Sequence, residues 1–258
     1  MYKGFDCAAR LTAEKAAEFY NAGFRFVGRY FGYGSKILEP DEAKAITGAG
    51  LRLLTVFENS AEDYLGGAEN GTRYGQLAKE QAEALEMPKA GIIYFAIDTQ
   101  PTDFDLTAEY LLAAEKAAAP YQIGVYGSFY TIEEMAKRGI GAAFWQSYAW
   151  SDGKLSDHSS VWQSSVESEE IGIQIDHDIC CDMSGAGIWS YDMSETNKKR
   201  IQTLEEVPEP LYAETKELVN SGALRGKGEG LDVTEDMLRS MIVAKRYTDK
   251  KAETQETT

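Results

Sequence analysis

The sequence predicts an α/β fold, namely a (β/α)8 TIM-like barrel with short or missing late helices, followed by a small C-terminal helical module. Three observations lead to this prediction. Strand and helix signals alternate over the first two thirds of the chain, eight strand-like segments can be counted, and several of them end in an acidic residue. Such alternation implies right-handed crossovers and a largely parallel sheet. Eight parallel strands are the number that closes a barrel.

The strand-like segments are short apolar runs rich in β-branched and aromatic residues. They begin at Lys3, Arg25, Leu51, Ile92, Ile123, Ala142, Val161 and Ile171. Little sequence separates the last three segments, so we expect the missing crossover helices there. An open doubly wound sheet is the alternative. It usually carries a Gly-x-Gly-x-x-Gly loop after a strand, and this sequence has none.

The helices are predicted from capping residues, apolar stripes and terminating glycines. Thr12 is a plausible cap for the first helix, which Gly23 ends, and Pro40 with two acids begins the second. Helical patterns then cover about residues 72–85, 106–118 and 129–138.

The composition of the sequence changes near residue 194, and this change predicts a second unit. We assign residues 1–192 to the barrel and the charged, proline-containing residues 193–209 to a linker. Residues 210–247 contain two amphipathic segments, 211–219 and 234–246, and are predicted to form a small helical module. Residues 248–258 are polar and predicted to be disordered.

Composition excludes several classes of function. Asp and Glu number 42 against 26 Lys and Arg, and a net charge of −16 opposes binding of nucleic acid. No Walker-type lysine loop is present, so we expect no nucleotide and, more generally, no cofactor. No apolar stretch approaches the roughly 20 residues of a membrane span. The first residues enter a strand directly, which predicts cytoplasmic synthesis without a signal peptide. The oligomeric state is left open.

Carboxylates at strand ends are the main candidates for catalysis. Asp6, Glu58, Asp98 and Asp178 each follow an apolar run, and the carboxyl ends of parallel barrel strands meet in one pocket. A pair of carboxylates cleaves a glycosidic bond when one is protonated and the other ionised. Glu58 is expected to be the better proton donor, because the reference pKa of Glu is about 4.3 and that of Asp about 3.9. For each aspartate, helix capping is the structural alternative.

Aromatic and amide side chains are concentrated near the same strand ends. Such groups stack on sugars and bond to hydroxyl or N-acetyl groups. A Trp-Gln pair occurs twice, and strand alternation should direct one member of each pair into the barrel. The candidates for substrate binding in this group are Tyr30, Tyr94, Tyr126, Trp145, Gln146 and Gln163.

His177 raises the possibility of a metal site, since it lies between Asp176 and Asp178. Alternation along a strand places the imidazole on the face opposite both carboxylates. The sequence therefore predicts no metal site.

Several segments, taken in order, resemble a bacterial glycoside hydrolase-like domain family, formerly a domain of unknown function, that is related in fold to the family 25 lysozymes. The resemblance spans about residues 1–181 and rests on residues 4–6, 26–31, 56–59, 93–98, 124–127, 145–146 and 175–178. It implies a barrel that acts on, or binds to, bacterial cell-wall glycan. It also adds Arg29 and Asp176 as substrate-binding candidates. Residues 210–247 resemble, more vaguely, the helical tails of phage lysins, which implies a module that binds the cell wall or mediates oligomerisation.

One position departs from the family 25 pattern. Those lysozymes carry an Asp-x-Glu motif whose Glu donates the proton, and here Asp98 is followed two residues later by Gln100. The leading hypothesis is a muramidase-like glycosidase that cleaves peptidoglycan glycan strands, a bacteriolytic bacteriophage endolysin that reaches the wall after holin-type release. The alternatives are a non-catalytic barrel that binds cell-wall glycan and a metal-dependent hydrolase of another wall bond.

Overall fold

The computed structural model describes residues 1–89, 91–191 and 201–224, together with residues 230, 231, 233, 238, 241, 242 and 245. The chain divides into two compact units, residues 1–191 and residues 192–258. In the described part of the chain, no helix is both long enough and apolar enough to span a membrane.

The first unit is a closed eight-stranded barrel in which each strand pairs with its neighbours in sequence. This confirms the predicted fold class. The strands are β1 (Tyr2–Asp6), β2 (Phe24–Phe31), β3 (Arg52–Phe57), β4 (Ile92–Ile97), β5 (Gln122–Gly127), β6 (Phe144–Gln146), β7 (Val161–Glu170) and β8 (Ile173–Cys180).

Five helices follow the first five strands, and each crosses over to the next parallel strand. They are α1 (Ala13–Asn21), α2 (Pro40–Gly48), α3 (Gly67–Ala84), α4 (Phe104–Ala118) and α5 (Phe129–Arg138). Thr12 caps α1 as predicted, by accepting a hydrogen bond from the Lys15 backbone N–H. A short 3-10 helix, Asp63–Gly66, precedes α3. Within the described residues no helix separates β6 from β7 or β7 from β8, as the short late connections predicted.

The direction of β8 corrects the sequence analysis. Strands β1 to β7 pair in parallel, but β8 is antiparallel to both β7 and β1. A tight turn at Ile171 and Gly172, with φ of 57° and 73°, joins β7 and β8 into a hairpin. Because β8 runs downward from the mouth of the barrel, its acids do not lie at a strand end that meets the others. Asp176 is level with Asp6, and Asp178 lies two residues deeper, level with Gly4.

Strand alternation divides the apolar residues of the barrel into two layers. The outer layer, between the strands and the helices, includes Phe57 and Phe95 with their rings stacked 5.5 Å apart. The inner layer fills the lower barrel and includes Phe26, Tyr94 and Trp145. Both layers are almost fully buried. The barrel is thus closed below, and its polar inward residues lie near the mouth.

The β7–β8 hairpin covers the outer face where a late helix is missing. Ile171 and Ile173 pack against the outer apolar layer. Lys15 on α1 donates a hydrogen bond to the carbonyl of Ile171 at 3.0 Å. His177 stacks on Phe24 with centroids 5.9 Å apart, on the outer face opposite the two neighbouring aspartates, as alternation predicted.

The second unit has a small apolar core of its own. α6 (Glu209–Asn220) and a 3-10 helix (Leu204–Glu206) contribute to it, and Ile201 pairs with Val233. Its buried residues are Ile201, Val207, Leu211, Leu218, Leu224, Val233, Leu238 and Ile242.

The sequence analysis assigned two of these core residues, Ile201 and Val207, to a linker, and this assignment is wrong because both are buried in the core of the second unit. Of the second predicted helix, 234–246, residues 238, 241, 242 and 245 are described and are helical. The remainder of that segment, the first part of the predicted linker and the predicted tail at 248–258 lie outside the described residues.

Candidate active site

A deep pocket of about 100 Å³ opens at the mouth of the barrel. It adjoins a wider groove of about 610 Å³ that runs over the β1–α1 loop and the β7–β8 hairpin, and the two share Asp6, Tyr30 and Asp176. Asp6, Tyr30, Glu58, Asp98, Tyr126, Trp145, Gln163 and Asp176, all predicted site residues, line the deep pocket together with Val56 and Ala96.

Asp6 lies at the centre of the pocket and is 4% exposed. Its Oδ1 accepts a hydrogen bond from the hydroxyl of Tyr30 and its Oδ2 accepts one from Nε2 of Gln163, both at 3.0 Å. Burial raises the pKa of Asp6, and the nearby charge of Asp176 raises it further, while these two hydrogen bonds lower it. The carboxyl group is therefore both desolvated and held in one orientation.

Asp178 is fully buried and lies beneath the pocket. Nε1 of Trp145 donates a hydrogen bond to its Oδ1 at 2.9 Å. Burial raises the pKa of Asp178 well above its usual range, and the adjacent Asp6 adds to this effect. Asp178 was predicted as a catalytic residue on the assumption that β8 is parallel. The reversed strand places it one layer below the mouth, where it does not line the pocket.

Asp98 follows β4 and is half-buried on the opposite side of the pocket from the β7–β8 hairpin. Desolvation by burial raises its pKa to about 6, and the charge of Glu58 contributes to the rise. Two groups act in the other direction, namely the ammonium of Lys36 and a hydrogen bond from the side chain of Trp150. A carboxyl group with a pKa near 6 can hold or release a proton close to neutral pH.

Glu58 forms an ion pair with Lys36 through Oε2 and Nζ. The same ammonium lies 4.2 Å from the centroid of the Tyr30 ring. The ion pair engages one oxygen of Glu58, whose side chain lies at the wall of the pocket. The role of Glu58 as the proton donor stays a prediction.

Gln163 connects the groups at the mouth. Besides Asp6, its Nε2 donates to Asp176 at 3.2 Å, while its Oε1 accepts from the hydroxyl of Tyr126 at 3.4 Å and from the backbone N–H of Tyr148 at 3.3 Å. Since donors and acceptors are all matched, the amide has one orientation. Asp176 is fixed on its other oxygen by the backbone N–H of Glu167 at 2.6 Å.

Three residues predicted to bind substrate do not line the pocket or the groove, namely Arg29, Tyr94 and Gln146. Arg29 is fully buried on the outer face of β2, where it pairs with Glu42 at 3.0 Å and donates to the carbonyls of Cys7 and Lys36. Alternation explains this position, because Tyr30 points inward and its neighbour must point outward. The role of Arg29 is to fasten two loops of the mouth.

Tyr94 and Gln146 are also corrected. Tyr94 points into the barrel but lies below the pocket, fully buried, with its hydroxyl donating to the carbonyl of Ala186 at 2.9 Å. Gln146 points outward and bonds to the backbone of Lys154 and Ser156. As predicted, one member of each Trp-Gln pair faces inward, Trp145 in the first and Gln163 in the second.

Gln100, at which the resemblance to the family 25 lysozymes led us to expect a glutamate, does not line the pocket. Its Oε1 accepts a hydrogen bond from the hydroxyl of Ser128, the residue that caps α5, at 3.0 Å. The side chain is thus held beside the neighbouring strand–helix junction.

Lys36 and Trp150 are site residues that the sequence analysis did not select. Both lie in loops, where side-chain direction has no fixed period. Trp150 and Tyr148 are each 54% exposed in the loop after β6. Exposed aromatics beside a polar pocket are the signal that could have identified them. Within the described residues, no group of three or more His, Cys, Asp and Glu side chains is arranged to hold a metal ion.

Comparison with known sequences places this barrel in a family. The family model described as "Rv2525c-like, glycoside hydrolase-like domain" matches residues 17–196. The chain belongs to this family. It is 28% identical over 141 residues to the "Putative peptidoglycan hydrolase Rv2525c" of Mycobacterium tuberculosis, a match covering 52% of this chain and 58% of that protein. It is 31% identical over 143 residues to the uncharacterized protein YbfG of Bacillus subtilis, covering 47% and 20%. The chain thus spans only part of these relatives' length.

Solved structures share the Rv2525c-like fold. The Tat-secreted protein Rv2525c of Mycobacterium tuberculosis, crystallised with L-tartrate, has a TM-score of 0.66 at 23% identity, covering 73% of this chain and 99% of that chain. The modular autolysin LytC of Streptococcus pneumoniae, in complex with a synthetic peptidoglycan ligand, has a TM-score of 0.53 at 16% identity, covering 69% and 46%. At these identities the likeness concerns the fold.

Proposed function

We propose that this protein is a hydrolase of peptidoglycan glycan strands whose reaction takes place at the mouth of the barrel. The observation that carries the proposal is the convergence of Asp6, Glu58 and Asp98 on one small pocket. Asp6 and Asp98 have different environments there, because Asp6 is buried and Asp98 is half-buried. Carboxyl groups in unlike environments are what glycosidic hydrolysis requires. The family and the name of the relative Rv2525c support a cell-wall substrate.

The dimensions of the site suit a glycan. The groove of about 610 Å³ is within the range of pockets that bind small organic ligands, roughly 300–1,000 Å³. The deep pocket of about 100 Å³ has room for a substituent rather than a whole sugar ring. In the proposal the glycan chain lies in the groove and against Tyr148 and Trp150, and one polar substituent enters the pocket.

The environments of the carboxyl groups assign their roles in this proposal. Asp98 donates a proton to the glycosidic oxygen, because it lies at the mouth and its pKa of about 6 lets it carry a proton close to neutral pH. Asp6 acts in its ionised form, stabilising the oxocarbenium-like transition state or orienting an N-acetyl group, since the Tyr30 and Gln163 donors are already aimed at it. Burial raises the pKa of Asp6 to about 7, so the fraction of molecules with Asp98 protonated and Asp6 ionised is greatest between about pH 6 and pH 7. Glu58 and Lys36 together hold a neutral pair beside them.

The test is hydrolysis of purified peptidoglycan, followed as loss of turbidity and release of reducing ends. Asp98→Asn is expected to lower the rate by about 10²–10⁴-fold, the usual contribution of a general acid. Asp105→Asn is the matched control, because that carboxylate is 85% exposed on α4. No soluble product from the parent protein on any wall type would refute the enzyme assignment.

A second candidate function is glycan binding without catalysis. The observation that favours it is the position of Gln100, held by Ser128 outside the pocket where a proton donor would be expected. In that case the parent protein would co-sediment with insoluble peptidoglycan but release no product. A metal-dependent hydrolase of another wall bond would instead lose its activity on chelation.

The endolysin setting and a wall-binding role of the C-terminal unit remain predictions. Lysis of cells that express the protein only when a holin is co-expressed would support the first. Co-sedimentation of residues 1–191 and of the whole chain with peptidoglycan would separate the contribution of the second unit.

A further inference from the structure

Asp178 has an oxygen atom whose surroundings do not suit an ionised carboxylate. The side chain is fully buried, and its Oδ1 accepts a hydrogen bond from Trp145. Its Oδ2 is buried as well and receives no hydrogen bond from the residues that the structure describes. A buried anionic oxygen without a donor is costly, so some proton should be associated with this atom.

Asp178 lies opposite Gly4 on the adjacent strand β1, so Asp6, two residues further along that strand, is its diagonal neighbour on the same face of the sheet. The charges of two ionised carboxylates so placed repel each other in a buried site, and the nearby Asp6 raises the pKa of Asp178. The repulsion is removed when one of the two carries a proton, and only a protonated carboxyl group can donate a hydrogen bond to the other.

The donors around the two residues decide which one carries it. Asp6 already accepts hydrogen bonds on both oxygens, from Tyr30 and from Gln163, whereas Asp178 accepts one, from Trp145. Hydrogen bonds to a carboxylate favour its ionised form. Asp6 is thus ionised more readily than Asp178. Among the four oxygens of these two carboxyl groups, Oδ2 of Asp178 is the one without a hydrogen bond from the described residues, and a proton on it allows it to donate one.

We propose that Asp178 is a positioning residue that remains protonated at neutral pH and donates a hydrogen bond from Oδ2 to the ionised carboxylate of Asp6. Asp178 then supplies the third donor to Asp6, from below the pocket. The role of Asp6 in hydrolysis rests on the proposed function, but the location of the proton does not.

A buried proton makes stability depend on pH with a definite sign. The titratable groups facing Asp178 are Asp6 on β1, Tyr126 on β5 and, along β8, Asp176 and Cys180. Folding raises the pKa of Asp178, so the folded protein holds a proton that the unfolded chain releases above about pH 4. Its contribution to stability is full below that pH and is lost as the pH rises toward the folded-state pKa.

The test compares Asp178→Asn with the parent protein by urea unfolding from pH 4 to pH 8. Asparagine presents a carbonyl to Trp145 and an N–H to Asp6, like a protonated aspartate, but it does not titrate. The urea midpoint of the parent should fall across this range, and the variant should show a clearly smaller fall. Asp176→Asn is the matched control, since Asp176 is half-buried on the same strand. Its replacement should leave most of the change of the urea midpoint with pH. An unchanged slope in Asp178→Asn would overturn the proposal.

The rate of peptidoglycan hydrolysis provides a second test of the proposed role of Asp178. Asp178→Ala removes the donor to Asp6, and we expect Asp178→Asn to be at least tenfold more active than Asp178→Ala on peptidoglycan. Equal loss in the two variants would show that the ionised carboxylate of Asp178 is required, against the proposal. If the parent protein hydrolyses no wall, the proposed function fails, while the pH dependence of unfolding still decides where the proton lies.

Discussion

Replacing Trp150 with phenylalanine should raise the pKa of Asp98. The phenyl ring keeps an aromatic surface at the edge of the site but lacks the indole N–H that donates to the ionised carboxylate of Asp98. A hydrogen bond to a charged group contributes about 1.5–3 kcal/mol. Trp150 is 54% exposed, so water replaces much of that interaction in the variant. If about a third to a half is lost, the pKa of Asp98 rises from about 6 by about 0.5–1 unit.

The assay is a ¹³C NMR titration of the aspartate carboxyl carbons, with the Asp98 signal assigned by its absence in Asp98→Asn. The pH optimum of peptidoglycan hydrolysis should move upward in Trp150→Phe as well. Tyr148→Phe is the control, because it alters an equally exposed aromatic in the same loop without removing a donor to Asp98. A pKa of Asp98 that stays constant or falls in Trp150→Phe would refute the reasoning.

Three further substitutions test the supports of the site. Arg29→Ala should cost about 3–5 kcal/mol in urea unfolding, because it leaves a buried carboxylate unpaired; Arg10→Ala, at an exposed ion pair, should cost less than about 1 kcal/mol. Gln163→Leu removes a donor to Asp6 and should lower kcat/KM on peptidoglycan about ten- to hundredfold. Gly28→Ala should cost about 1–3 kcal/mol by the same unfolding measurement, since a Cβ there would lie 2.7 Å from Cβ of Asp6. A stability of Gly28→Ala equal to that of the parent would contradict the close packing under the pocket.

Much of the barrel could be predicted because period-two alternation and capping residues are local signals. They predicted that one member of each Trp-Gln pair faces inward, which Trp145 and Gln163 do, and that Thr12 begins a helix. Strand direction is not local, since the same residues can pair in either sense. The turn at Gly172 was the available sign that β7 and β8 form a hairpin, and overlooking it placed Asp178 at the mouth.

The residue types at the site could be predicted from the sequence, but how far below the mouth each side chain lies could not. Tyr94 and Tyr126 read alike in sequence, yet barrel register leaves the first below the pocket and the second at its wall. Arg29 shows that a polar residue next to an inward tyrosine belongs to the outer face. Lys36 was not predicted because it reaches Glu58 from a loop.

The antiparallel pairing of β8 with β1 has a consequence for how the protein becomes functional during synthesis. Asp6 lies on the first strand of the barrel to be made, and its hydrogen-bond partner Gln163 and its diagonal neighbour Asp178 are made only at the end of the barrel sequence. A nascent or truncated chain that lacks the final hairpin therefore has only Tyr30 to orient Asp6. Pairing of β8 with β1 is therefore the step that brings the separate acids together in one site.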